Sequence, residues 1–108
     1  MDWIYLVIAG FLEIGWPLGL KISQNSGKSV LGIGIAVVCL IGSGIFLWLA
    51  QKTIPIGTAY AVWTGIGASG TFLVGILLYG DSASALRIVS ALLIVAGIIG
   101  LKLSHNAP

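Results

Sequence analysis

Glu13 is the one carboxylate in AGFLEIGWPLGLK (residues 9–21), a run with no other charge until Lys21. A lone carboxyl in apolar surroundings can hold a proton or a cation and exchange one for the other. Helical spacing puts Gly10 and Trp16 three residues to either side of it, on the same face. Gly10 leaves room beside the acid. Trp16 offers an aromatic face to a cation and an indole N–H that can orient the carboxylate. Pro17 lacks an N–H and cannot pair with the carbonyl four residues back, which belongs to Glu13. That carbonyl is then a further acceptor beside the acid, or the proline only bends the helix. A second constellation lies in GTAYAVWTGIGASG (residues 57–70), where Tyr60 and Trp63 stand three apart with their rings on one side. Gly65, Gly67 and Gly70 follow, and glycines inside a helix point to close packing or bending. Ser43, between Gly42 and Gly44, is a further hydroxyl at depth, although a lone serine in such a run ordinarily bonds its own backbone.

The elements that carry these residues follow from composition. Of 108 residues, 58% are hydrophobic and only 7% charged, against about a quarter charged in a soluble domain. The chain cannot cover itself with charge in water, so its solvent is lipid. A spanning helix needs about 20 apolar residues. The turn-rich stretches SQNSGK, QKTIPIG and YGDSAS and the tail SHNAP divide the chain into four spans, at about 3–22, 29–50, 58–79 and 85–103. The expectation is an all-α membrane protein, one four-helix transmembrane domain over residues 1–108. Its first span is retained, because Met1-Asp2 is not a basic leader.

Depth decides what Glu13 is for. A charge at mid-membrane costs about 3 kcal/mol on insertion scales and ordinarily faces a cavity or a partner. Lys21, Lys28, Lys52, Arg87 and Lys102 all fall at span ends or in loops, where long side chains reach headgroups. A structural ion pair is therefore poorly supported, and a functional carboxylate is favoured. Asp81, in YGDS, reads as a turn residue. With a net charge of +2 and no dense basic run, nucleic acid is not an expected partner. The single Cys39 cannot form an internal disulfide and reads as a small packing residue. His105 lies in the tail and no nucleophile, acid–base or metal-ligand grouping reaches the spans, so no enzyme, cofactor or metal is expected.

Orientation is nearly undetermined by charge. An even number of spans puts both termini and Lys52 on one side with Lys102, facing Lys21, Lys28 and Arg87 on the other. The α-amino group evens that count, and topology follows the Lys/Arg excess. The chain is therefore expected to insert both ways up and to form an antiparallel homodimer. Gly97 and Gly100, beside Ala96, give the last span a face that allows close helix approach, either across that dimer or inside the bundle.

Together these residues resemble the small multidrug resistance family over nearly the whole chain. Trp16 one turn after Glu13, WTGIG at 63–67 and the ending GIIGLK at 97–102 are similar to its guanidinium-exporting subtype. The resemblance implies an antiparallel dimer in the bacterial inner membrane that exchanges protons for a small cation by alternating access. Protons and substrate would compete for the two Glu13 carboxylates. The family's polar network around the acid falls on Trp16, Ser43, Tyr60 and Trp63, with Tyr60 a switch whose hydroxyl reaches Glu13 in one arrangement of the dimer. Pro17 stands where many members of the subtype carry a small residue, and loop one lacks the GFTR-like sequence common there. The substrate range implied is guanidinium, substituted guanidines such as guanylurea, or small quaternary ammonium ions. Two other readings are a broad exporter of quaternary ammonium and polyaromatic cations, and a membrane subunit without transport of its own, in which Glu13→Gln would retain function.

Overall fold

The computed structural model describes residues 2–25 and 27–104; His105 and the rest of the tail lie outside the described residues. The chain folds as α1 (Asp2–Ser23), α2 (Ser29–Ala50), α3 (Ile56–Tyr79) and α4 (Ala85–Leu103). At 19 to 24 residues each, the helices run about 29–36 Å, matching a hydrocarbon core of about 30 Å. All four are long and apolar enough to cross a membrane. The second and fourth spans have the bounds the sequence predicts. α3 begins two residues before the expected Thr58, because Pro55 (φ −53°, ψ 142°) already turns its carbonyl into the helix, where it accepts the Ala59 N–H at 2.9 Å.

The ends are set by local chemistry. α3 stops at Gly80, in the left-handed conformation (φ 68°), and the Asp81 N–H returns to the Gly75 carbonyl at 3.0 Å. Only a residue without a Cβ adopts that conformation cheaply. Asp81 is thus the turn residue expected, with its carboxylate lying against Gly75. Ser84 caps α4 by accepting the Arg87 N–H. At the other end of the bundle the Thr53 hydroxyl donates to Asp2, which puts the start of α1 beside the α2–α3 loop, as the topology requires.

Packing inside the chain is tightest between α1 and α2. A Cβ on Gly19 would meet the Ala36 nitrogen at 2.6 Å and the Gly32 carbonyl at 2.7 Å, and one on Gly32 would meet the backbone of Ser23. Backbone approach of this kind is how helices associate in lipid, where burying hydrocarbon gains little. Cys39 packs against Gly15 on the same seam. Leu6, Ala50, Ile54, Ala59 and Val62 form the buried cluster at the end of the bundle that holds the termini. α4 packs chiefly along α3, with Lys102 reaching Trp3 of α1, and buries none of its described residues. The result is a slab of 52 × 35 × 17 Å, little thicker than one helix with its side chains (about 10–12 Å).

Four of the five cationic side chains lie over aromatic rings: Lys52 over Trp48, Lys102 over Trp3, Lys21 over Tyr79 and Arg87 over Phe72, at 4.7–5.7 Å. Each pair sits near a helix end, where the ring lies among apolar groups and the cation reaches the headgroups.

Candidate functional site

The site is built where α1 crosses α3. α1 and α3 meet with a glycine on one side of each contact: Gly10 against Ile66, Glu13 against Gly67, Ile14 against Gly70. The expectation that Gly10 leaves room for the carboxylate is corrected by this register. A Cβ on Gly10 would lie 2.7 Å from Ile66, so Gly10 admits the isoleucine. The room for Glu13 comes from Gly67, where any side chain would occupy the space of the Glu13 methylenes.

Within that niche Trp16 Nε1 donates to Glu13 Oε1 at 2.7 Å. The pair is three residues apart on one helix, so α1 itself imposes the geometry. A distance of 2.7 Å is at the short end of the range for N–H···O bonds. The second carboxylate oxygen makes no hydrogen bond among the described residues. Glu13, Trp16, Pro17, Gly67 and Ala68, with Thr64 and Thr71, line a cavity of about 280 Å³. Pro17 and Thr71 also line a neighbouring cleft of about 220 Å³ that reaches Lys21, Tyr79 and Asp81 at the end of the helices. α1 continues through Pro17 as one unbroken helix.

A second chain of hydrogen bonds ties the three helices behind this cavity. Trp63 Nε1 donates to Ser43 Oγ at 2.7 Å, and Ser43 Oγ donates to the Ala9 carbonyl at 2.8 Å. Ser43 is fully buried. Its bond goes to α1, so the expectation of a bond to its own helix does not hold. Ala9 is four residues before Glu13, and its carbonyl is the one that receives the Glu13 N–H in the helical ladder. The indole on α3 is therefore linked through α2 to the turn of α1 that carries the acid. Tyr60 packs on Trp63, ring centroids 5.5 Å apart, and is exposed. No described hydrogen bond joins it to Glu13 within one chain.

The remaining predicted positions divide. Gly65 contacts Ile98 and Ile94 and is where α4 approaches α3, so it packs helices and does not shape the cavity. Gly97 and Gly100 have nothing within 4 Å of where a Cβ would stand. Among the described residues no other helix packs on that face. Thr64 and Thr71 were not among the predicted site residues. Their seven-residue spacing around Gly67 on one face is a signal that would have found them. The Ala9 carbonyl carries no sequence signal.

The Small Multidrug Resistance protein family matches residues 1–94 of the chain. The chain belongs to the small multidrug resistance family. Within this family it is 52% identical over 106 residues to the guanidinium exporter of Salmonella typhimurium, covering 98% of this chain and 100% of that one. It is 55% identical over 104 residues to the guanidinium exporter of Yersinia pseudotuberculosis (96% and 99%). It is 54% identical over 106 residues to that of Citrobacter freundii (98% and 100%). With its four spans, the chain is a multi-pass protein of the bacterial inner membrane.

Proposed function

We propose that this small multidrug resistance protein exports guanidinium or small substituted guanidinyl cations in exchange for protons, and is a transporter with no enzymatic activity. The observation that carries the reading is the Glu13–Trp16 pair at mid-span, one carboxylate oxygen held by the indole and the other without a hydrogen bond among the described residues, beside a cavity. A guanidinium ion presents a flat fork of N–H donors that suits a carboxylate and a planar face that suits an indole. The names of the relatives favour the same substrate.

Exchange follows from competition. A carboxyl that holds a proton has lost its charge for the cation, so protons arriving on one side expel substrate and their departure on the other permits loading. A slab 17 Å thick leaves the cavity open on one flank, and the open Gly97–Gly100 face of α4 is available to a second copy. An antiparallel homodimer would close the cavity and bring two Glu13 carboxylates to one site, alternating between openings. Tyr60, exposed on α3 one turn before the cavity-lining Thr64, would then reach toward the partner's half of the site.

The test is proton movement in proteoliposomes, followed with an internal pH dye, driven by a guanidinium gradient. Wild type is expected to couple the two fluxes and Glu13→Gln to fall to background. The apparent affinity for guanidinium should weaken as pH falls, because each added proton removes a carboxylate from the cation. Full coupled flux in Glu13→Gln would overturn the proposal, as would a wild type that moves only bulky aromatic cations.

A further inference from the structure

The cavity at Glu13 is not the largest in the chain. On the far side of the α1–α3 crossing, a groove of about 610 Å³ runs between α1, α3 and α4, walled by Phe11, Ile14, Phe72, Leu73, Ile88 and Val95. Ser69 is the one lining residue with a polar side chain. The α4 wall is the row Ile88, Leu92, Val95 and Ile99, three and four apart on one stripe. From Ile88 to Ile99 it extends about 16 Å along the helix. Gly97 points away from this row, about 170° around the helix, and Gly100 lies on its flank at about 110°, so a second copy can approach through Gly97 without entering the groove.

Arg87 stands at the loop end of this groove. Its guanidinium lies 5.0 Å over the ring of Phe72, itself a groove wall, and its Nε donates to the Ser82 carbonyl at 2.7 Å. These contacts fix the plane of the guanidinium and leave its two amino groups without a described partner. We propose that the groove holds one acyl chain of an anionic phospholipid, with the lipid phosphate on Arg87. The groove lies at the depth of the hydrocarbon core, and Arg87 lies at the level of the headgroups. A planar, pre-oriented guanidinium is the side chain that best fits a phosphate. A helix of a second copy is the competing occupant, and the dimer–monomer ratio of a groove-filling variant separates the two. The inference rests on the membrane-spanning fold and not on the transport reading.

Native mass spectrometry of the delipidated full-length protein, titrated with phosphatidylglycerol or phosphatidylcholine, tests it. Wild type is expected to retain one phosphatidylglycerol per chain, preferred over phosphatidylcholine by about tenfold, the order of one charge-assisted hydrogen bond. Arg87→Gln, an exposed change, should bring the two lipids to near parity, whereas Lys28→Gln should leave the preference intact. Ala91→Phe, which fills the groove, should lower retention of both. Equal retention of the two lipids by wild type would refute the proposal, as would an Arg87→Gln preference equal to that of wild type. Should Ala91→Phe shift the dimer–monomer ratio and leave lipid occupancy per chain unchanged, the groove is covered by a second copy and the lipid assignment falls.

Discussion

α1 and α4 are both apolar helices of membrane length, yet they relate to the rest of the chain in opposite ways. α1 carries the acid, the indole and the proline, and buries Leu6, Ala9, Gly10 and Gly19 against its neighbours. α4 carries no charge between Arg87 and Lys102 and buries nothing. In water the more apolar helix would be the more deeply buried. In lipid, hydrocarbon gains nothing by leaving the acyl chains, and association depends on close backbone approach and interhelical hydrogen bonds. α1 supplies both, through its glycines and through the Ala9 carbonyl that receives Ser43. α4 has glycines too, but no neighbouring helix stands against Gly97 or Gly100 among the described residues.

That contrast can be broken by moving bulk onto each helix seam. The largest structural effect is expected from Gly32→Val, which drives a side chain into the backbone of Ser23. Separation of α1 from α2 should cost about 1–3 kcal/mol or more, read as a lower detergent-denaturation midpoint. Gly67→Ala should leave the fold largely intact but displace Glu13. If the same overpacking cost of about 1–3 kcal/mol falls on the bound state, guanidinium transport drops roughly 5- to 150-fold. Unchanged transport in Gly67→Ala would show that the α3 niche does not position the acid.

Ser43→Ala sharpens the comparison from the polar side. It leaves the Trp63 N–H and the Ala9 carbonyl without their link, a loss of about 1–3 kcal/mol for a buried donor. The expected readout is a lower thermal midpoint together with weaker guanidinium affinity. A change in affinity alone would place Ser43 in contact with substrate. The smallest effect on the chain itself is expected from Gly97→Ala, within about 0.5 kcal/mol, since nothing lies near that position. Its effect should appear in dimer dissociation, measured by energy transfer between labelled chains. A destabilised monomer in Gly97→Ala would mean that α4 folds back onto its own chain and would end the contrast with α1.

The sequence by itself determined the number of spans, their bounds to within about two residues, the common side of the termini and Lys52, and the acid with its indole. These are local or one-dimensional properties. Span length follows from the thickness of the bilayer, charge marks the ends of the spans, and a spacing of three puts Glu13 and Trp16 on one face. Only the tertiary structure decided which small residue makes room for which neighbour. Gly10 and Gly67 are both glycines near Glu13 by composition or pattern, and the α1–α3 register alone assigns Ile66 to one and the carboxylate to the other. The same holds for Ser43. Its hydroxyl could satisfy its own helix, and it joins α1 to α3 only because the glycine seam draws α2 close enough for an interhelical bond. A hydropathy pattern records what each helix offers to lipid. It does not record distance between helices, and in this chain that distance makes the site.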